Sequence, residues 1–144
     1  MKILCIEDNE KKYNDIVQQI RKFKEHAMID WAAYGNLGLC KLSENQYDLV
    51  VLDMSLPISS INDRKDMLYG ENILDEIKRC RMKVNVLVIT GFDQFEYKTE
   101  RLTFEELYAR MKKKYNKYLL DMVYYDQSSM EWVIVLGELL NKFE

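Results

Sequence analysis

Glu7, Asp8 and Asp53 are the residues whose types and placement could do chemistry. Glu7 and Asp8 follow the apolar run Lys2-Ile-Leu-Cys-Ile6, and Asp53 closes the run over residues 48–54. Both runs read as strands buried on two faces, so three carboxylates meet at one edge of a sheet. Left bare, they would repel one another. A hard divalent cation such as Mg²⁺ relieves this, because it takes oxygen ligands and keeps waters for a phosphate partner. A carboxylate beside such an ion can act as a nucleophile toward phosphorus. Thr90 ends a third apolar run and Tyr125 a fourth, and each brings one hydroxyl to the same edge. In open α/β sheets ligands bind beyond the carboxyl ends of the strands, where the strand order reverses.

The elements that must position these residues alternate regularly. After the first strand, Tyr13, Ile16, Val17, Ile20 and Phe23 recur at helical spacing, with Asn9 as the N-cap. Residues 27–34 read as a second strand, and Leu37 to Leu42 as a short helix ending near Ser43-Glu44-Asn45. A loop over residues 55–69 follows the third strand and contains Pro57. Ile73, Leu74, Ile77 and Cys80 mark the third helix, and residues 84–90 the fourth strand. Residues 91–102 read as a polar and aromatic linker. Thr103 and Glu106 then form a capping box for the next helix. Leu119 to Tyr125 give the fifth strand. Ser128 and Glu131 suggest a second capping box, before a helix carried by Trp132, Leu136, Leu140 and Phe143. This pattern predicts a doubly wound five-stranded parallel sheet with helices on both faces, as one domain over residues 1–144.

Composition narrows the function classes. The chain has 144 residues, enough for one ordinary core, and 5 Gly with 1 Pro, too few for a disordered chain. Its formal net charge of −3 argues against a dedicated nucleic-acid binder. The single His26 excludes a multi-histidine zinc site. Cys5, Cys40 and Cys80 are odd in number and contain no C-x-x-C pair, which points to a reducing compartment. All three are expected in the core. No run approaches the ~18 apolar residues of a membrane span, and the N-terminus has no signal-peptide pattern, so a cytoplasmic protein is expected. The basic stretch Arg110 to Lys117 reads as a solvated helix face, and Trp31 and Trp132 as core aromatics.

Three segments together resemble the receiver domain of two-component response regulators (the CheY-like fold). They are Lys2-Ile-Leu-Cys-Ile-Glu-Asp-Asn9, Tyr47-Asp-Leu-Val-Val-Leu-Asp-Met-Ser-Leu-Pro57 and Val86-Leu-Val-Ile-Thr-Gly91. Gly70 resembles the glycine that opens the family's third helix. The resemblance implies a phosphoacceptor at Asp53 and Mg²⁺ held by Glu7, Asp8, Asp53 and the backbone carbonyl of Ser55, with Asp8 more direct than Glu7. It implies that Thr90 contacts the phosphoryl group and that Gly91 leaves room for it. It also implies a sensor histidine kinase or phosphorelay protein as donor, a downstream protein as output, and a homodimer as one mode of assembly. Direct nucleic-acid contact is not implied, nor is enzymatic activity beyond self-phosphotransfer to Asp53 and its hydrolysis.

The chain departs from that pattern in three places. The family ends its fifth strand with Lys-Pro, where this sequence has Val123-Tyr-Tyr-Asp126. Tyr125 aligns with the missing lysine, which sets Ser128 at the helix N-cap. A tyrosine hydroxyl offers a hydrogen bond but no charge. The loop from Pro57 to Gly70 and the stretch from Gly91 to Leu119 are longer than usual. These departures motivate an alternative, a degenerate receiver that binds partners without phosphorylation. A Mg²⁺-dependent phosphohydrolase is a third reading, opposed by the lack of a second group placed to activate water.

Overall fold

The computed structural model describes residues 1–91, 94–97 and 100–143. The element order is β1 (Lys2–Ile6), α1 (Glu10–Phe23), β2 (Met28–Ala32), α2 (Gly35–Glu44), β3 (Leu49–Leu52), α3 (Tyr69–Arg79), β4 (Asn85–Thr90), β5 (Gln94–Tyr97), β6 (Glu100–Thr103), α4 (Phe104–Lys114), β7 (Leu119–Tyr124) and α5 (Glu131–Asn141). Five strands form the central sheet in the order β2-β1-β3-β4-β7, every pairing parallel. The doubly wound fold expected from the alternating pattern is present.

Strand side chains alternate between two cores. Leu4, Ile6, Val50, Leu52, Val86 and Val88 pack toward α2, α3 and α4. Ile3, Cys5, Leu49, Val51, Leu87 and Ile89 pack toward α1 and α5. Burial on both faces explains why these strands read as continuous apolar runs. The chain leaves β1 for β2 on one side and returns to β3 on the other. The strand order therefore reverses between β1 and β3, opening a crevice at their carboxyl ends.

Several local expectations are corrected. The segment read as a linker contains an antiparallel hairpin, with Gln94 opposite Thr103 and Tyr97 opposite Glu100. Among the described residues its two strands pair only with each other, apart from the main sheet. Ser128 does not cap α5. Met130 is at the N-cap without a side-chain bond, and Ser128 Oγ instead bonds Asp126. The Thr103–Glu106 capping box and the Asn9 cap are both present. Cys5 is buried, but Cys40 and Cys80 are exposed. The buried stripe of α2 runs through Gly35, Gly38 and Leu42, which turns Cys40 outward, and Cys80 lies at the C-cap of α3. Trp132 is buried, whereas Trp31 is only half-buried and stacks on Tyr13 at 4.4 Å. Within the basic stretch, Lys112 bonds the carbonyls of Leu119 and Leu120, so that face is not wholly solvated. Among the described residues no helix is long and apolar enough to cross a membrane.

Candidate functional site

β1 and β3 end side by side, with Ile6 paired to Leu52. The next residues on each strand are therefore neighbours. Glu7, Asp8 and Asp53 each bring a carboxylate oxygen to within 4.8 Å of the others. Glu7 is 2 % and Asp53 5 % exposed, so both carboxylates are withdrawn from bulk water. Gly70 allows α3 to close on this edge. A Cβ there would stand 2.7 Å from the Asp53 carbonyl oxygen and 2.8 Å from Met54 Cα, both backbone atoms. The long loop is tied down rather than loose. Leu56 and Asp66 exchange backbone hydrogen bonds, and the Pro57 and Ile58 carbonyls accept from the first amides of α2.

Two lysines reach the acidic cluster. Lys65, from the loop, lies 2.8 Å from Asp8 Oδ2 and is itself 44 % exposed. Lys12 comes from the first turn of α1 and is only 6 % exposed. Its Nζ lies 2.6 Å from Glu7 Oε1 and 3.5 Å from Asp53 Oδ1, and donates to the Ile89 carbonyl at 2.6 Å. The sequence reading missed Lys12, although the signal was present. It precedes Ile16 and Ile20 by four and eight residues, on the buried stripe of the helix. Lysine is almost never buried without partners.

Burial and the Asp53 charge push Glu7 up to about 8, against the downward pull of Lys12. For Lys12, burial works to lower the pKa, but Asp53 and Glu7 outweigh it and the net shift is upward. The ammonium is thus held charged between two acids.

Other groups are poised but unsatisfied. Asp8 Oδ1, Asp53 Oδ1 and Thr90 Oγ1 are buried without a hydrogen-bond partner among the described residues. Buried polar atoms are usually paired, so a cluster of orphans marks a place for a ligand. Carboxylate oxygens of this kind are the donors a hard cation such as Mg²⁺ takes, and the residues present fit that ion. Ser55 is buried two residues beyond Asp53. Glu7, Asp53, Lys12, Lys65, Gly91 and Tyr125 border a recess of about 220 Å³. A water occupies ~30 Å³ of liquid, so the recess has room for a phosphoryl group with its waters. Among the described residues a Cβ on Gly91 would meet only the Tyr125 carbonyl, at 3.9 Å.

Tyr125 stands one residue beyond β7 rather than at its last position, and its hydroxyl is bonded to a carboxylate of α1. It donates to Asp15 Oδ2 on α1 at 2.6 Å, and its ring faces the Lys12 ammonium at 5.5 Å. Desolvation and the Asp15 carboxylate push this phenol up to about 12. Trp31 donates its indole N–H to the Glu7 carbonyl at 2.7 Å, which places a fluorophore beside the site.

Comparison with known proteins agrees with this geometry. The profile of the response regulator receiver domain matches residues 3–123. The chain is 23 % identical to protein y4jR of Sinorhizobium fredii over 138 residues, 92 % of this chain and 91 % of that one. It is 31 % identical over 102 residues to the transcriptional regulatory protein QseB of Haemophilus influenzae, covering 71 % of this chain and 41 % of QseB. Its fold superposes on a response regulator receiver domain from Rhodospirillum rubrum with a TM-score of 0.69 and 19 % identity, over 99 % of this chain and 93 % of the other. With the family profile spanning most of its length and the acidic cluster at the carboxyl edge of its sheet, the chain belongs to the response regulator receiver domains of two-component systems.

Proposed function

We propose that this receiver accepts a phosphoryl group on Asp53 in the presence of Mg²⁺ and signals through protein contacts. The observation that carries this reading is the meeting of the Glu7, Asp8 and Asp53 oxygens within 4.8 Å at the β1–β3 switch point. An Asp53 carboxylate oxygen forms the new O–P bond. The donor's P–N bond, if it is a phosphohistidine, breaks, and the leaving imidazole keeps the electron pair and takes a proton. Asp8, Asp53 and the Ser55 carbonyl, with Glu7 behind them, would hold the ion. When bound, Mg²⁺ withdraws charge from the phosphoryl oxygens and relieves repulsion among the carboxylates. Thr90 Oγ1, buried and without a partner among the described residues, donates to a phosphoryl oxygen.

The donor on this reading is a sensor histidine kinase or phosphorelay protein, and the output a second protein rather than nucleic acid. A cytoplasmic setting suits the free thiols of Cys5, Cys40 and Cys80. Chemistry would be confined to phosphotransfer onto Asp53 and its hydrolysis.

The test is intact mass after incubation with acetyl phosphate and Mg²⁺, beside Asp53→Asn. One phosphoryl adduct on the parent and none on the variant is expected. An equal adduct on both would move the acceptor elsewhere, and none on the parent with either acetyl phosphate or a phosphohistidine donor would refute the reading.

A further inference from the structure

We propose that Lys12, entering from α1, is the residue that pairs its charge with the phosphoryl group on Asp53, the task the family gives to a lysine at the end of the last strand. The proposal rests on Asp53 being the phosphoacceptor. It goes beyond the family pattern, because position 12 lies on a different element from the lysine it would replace.

Four observations carry it. First, Nζ is already 3.5 Å from Asp53 Oδ1, and that oxygen has no hydrogen-bond partner among the described residues. An ammonium has three protons. The Ile89 carbonyl accepts one at 2.6 Å and the Glu7 carboxylate lies at the same distance as an ion pair, which leaves the ammonium a proton for an oxygen added at Asp53. Second, the carbonyl that accepts from the ammonium belongs to Ile89, which immediately precedes Thr90 on β4, so the ammonium is anchored at the strand end that carries Thr90. Third, Tyr125 cannot serve in its own right. Its hydroxyl is committed to Asp15, and its ring instead walls the ammonium on the β7 side. Fourth, stability alone does not account for the placement. A cation in the first turn of a helix opposes the helix dipole, and a buried ion pair is seldom better than apolar packing. A residue that violates local rules at the mouth of a site marks function.

The experiment relocates the charge. Beryllium fluoride, which stands in for a phosphoryl group on a carboxylate, is titrated with Mg²⁺ into wild type, K12M, K12R and K12M/Y125K, followed by Trp31 fluorescence at 10 °C. Acetyl phosphate labelling of each protein is read in parallel by intact mass. Lys12→Met is expected to weaken beryllium fluoride binding at least tenfold. The double variant, whose lysine enters the same recess from β7, is expected to return to within threefold of wild type. Wild-type binding by K12M, with Asp53 still labelled, overturns the Lys12 role and leaves Asp53 as acceptor. A wild type that neither labels nor binds removes the underlying reading and this proposal with it. If circular dichroism finds K12M unfolded, the decision passes to K12M/Y125K and K12R. Binding within threefold of wild type by the folded double variant upholds the proposal. Loss of binding by the folded double variant overturns it.

Discussion

Replacing Lys12 by methionine keeps an unbranched side chain one atom shorter and removes its charge. Glu7 and Asp53 would then remain buried at 2 % and 5 % exposure without the ammonium that now pairs with both. Breaking a buried ion pair by removing one partner costs about 3–5 kcal/mol. For a chain of 144 residues the unfolding entropy is roughly 0.3 kcal/mol per kelvin, so a drop of about 10–17 °C in Tm is expected. The loss should deepen as pH rises. Glu7 is already pushed up to about 8, so its neutral form stabilises the fold at low pH, and that contribution disappears as pH rises from its unfolded value toward 8. Without the downward pull of Lys12 the group rises further, so the difference between K12M and wild type should be larger at pH 8 than at pH 5. Mg²⁺ should recover part of it, because the ion restores positive charge to the folded state only. The assay is thermal unfolding by circular dichroism at both pH values, in EDTA and in Mg²⁺. A change below about 3 °C at pH 8 in EDTA, the equivalent of roughly 1 kcal/mol, would refute the buried pairing of Lys12.

Three further outcomes follow from the same geometry. Lys65→Ala frees Asp8 from a half-exposed cation at 2.8 Å and should tighten Mg²⁺ binding by about two- to fivefold at low salt, the range of a surface ion pair, measured by titration of Trp31 fluorescence; unchanged affinity would mean the pair does not compete with the metal. Gly70→Ala sets a Cβ within 2.8 Å of backbone atoms of Asp53 and Met54 and should cost about 1–3 kcal/mol in urea unfolding while displacing the acceptor and slowing its labelling. Tyr125→Phe removes the hydrogen bond to Asp15 but keeps the ring over Lys12, so it should cost about 1 kcal/mol of stability and leave phosphoryl labelling intact, which intact mass will report.

The order of elements and the carboxylate edge could be read from the chain because each rests on local pattern. Strands buried on two faces must be apolar throughout, so Lys2–Ile6, Leu49–Leu52 and Asn85–Thr90 are conspicuous, and a polar residue ending such a run must lie at the sheet edge. Glu7, Asp8 and Asp53 meet because parallel neighbours end together. Local chemistry also identified the caps at Asn9 and Thr103. It misjudged Ser128, where Asp126 offers the hydroxyl a nearer partner, and Cys40, whose neighbours Leu39 and Leu42 hide which face of a short helix is covered.

What the sequence by itself determined is therefore the alternation of elements and the acids that stand at their ends, since both follow from side-chain periodicity. Which cation serves those acids was decided by tertiary structure alone. The chain has no lysine between Lys117 and Lys142, and reading along the last strand finds only Tyr125. Packing α1 against the sheet beside α5 carries Lys12 across a gap in sequence of 41 residues to Asp53 and 77 residues to the Ile89 carbonyl. The same packing turns the Tyr125 hydroxyl to Asp15. Pairing of charges depends on distance in space, and the distances between a helix face and three strand ends exist only once the layers have closed.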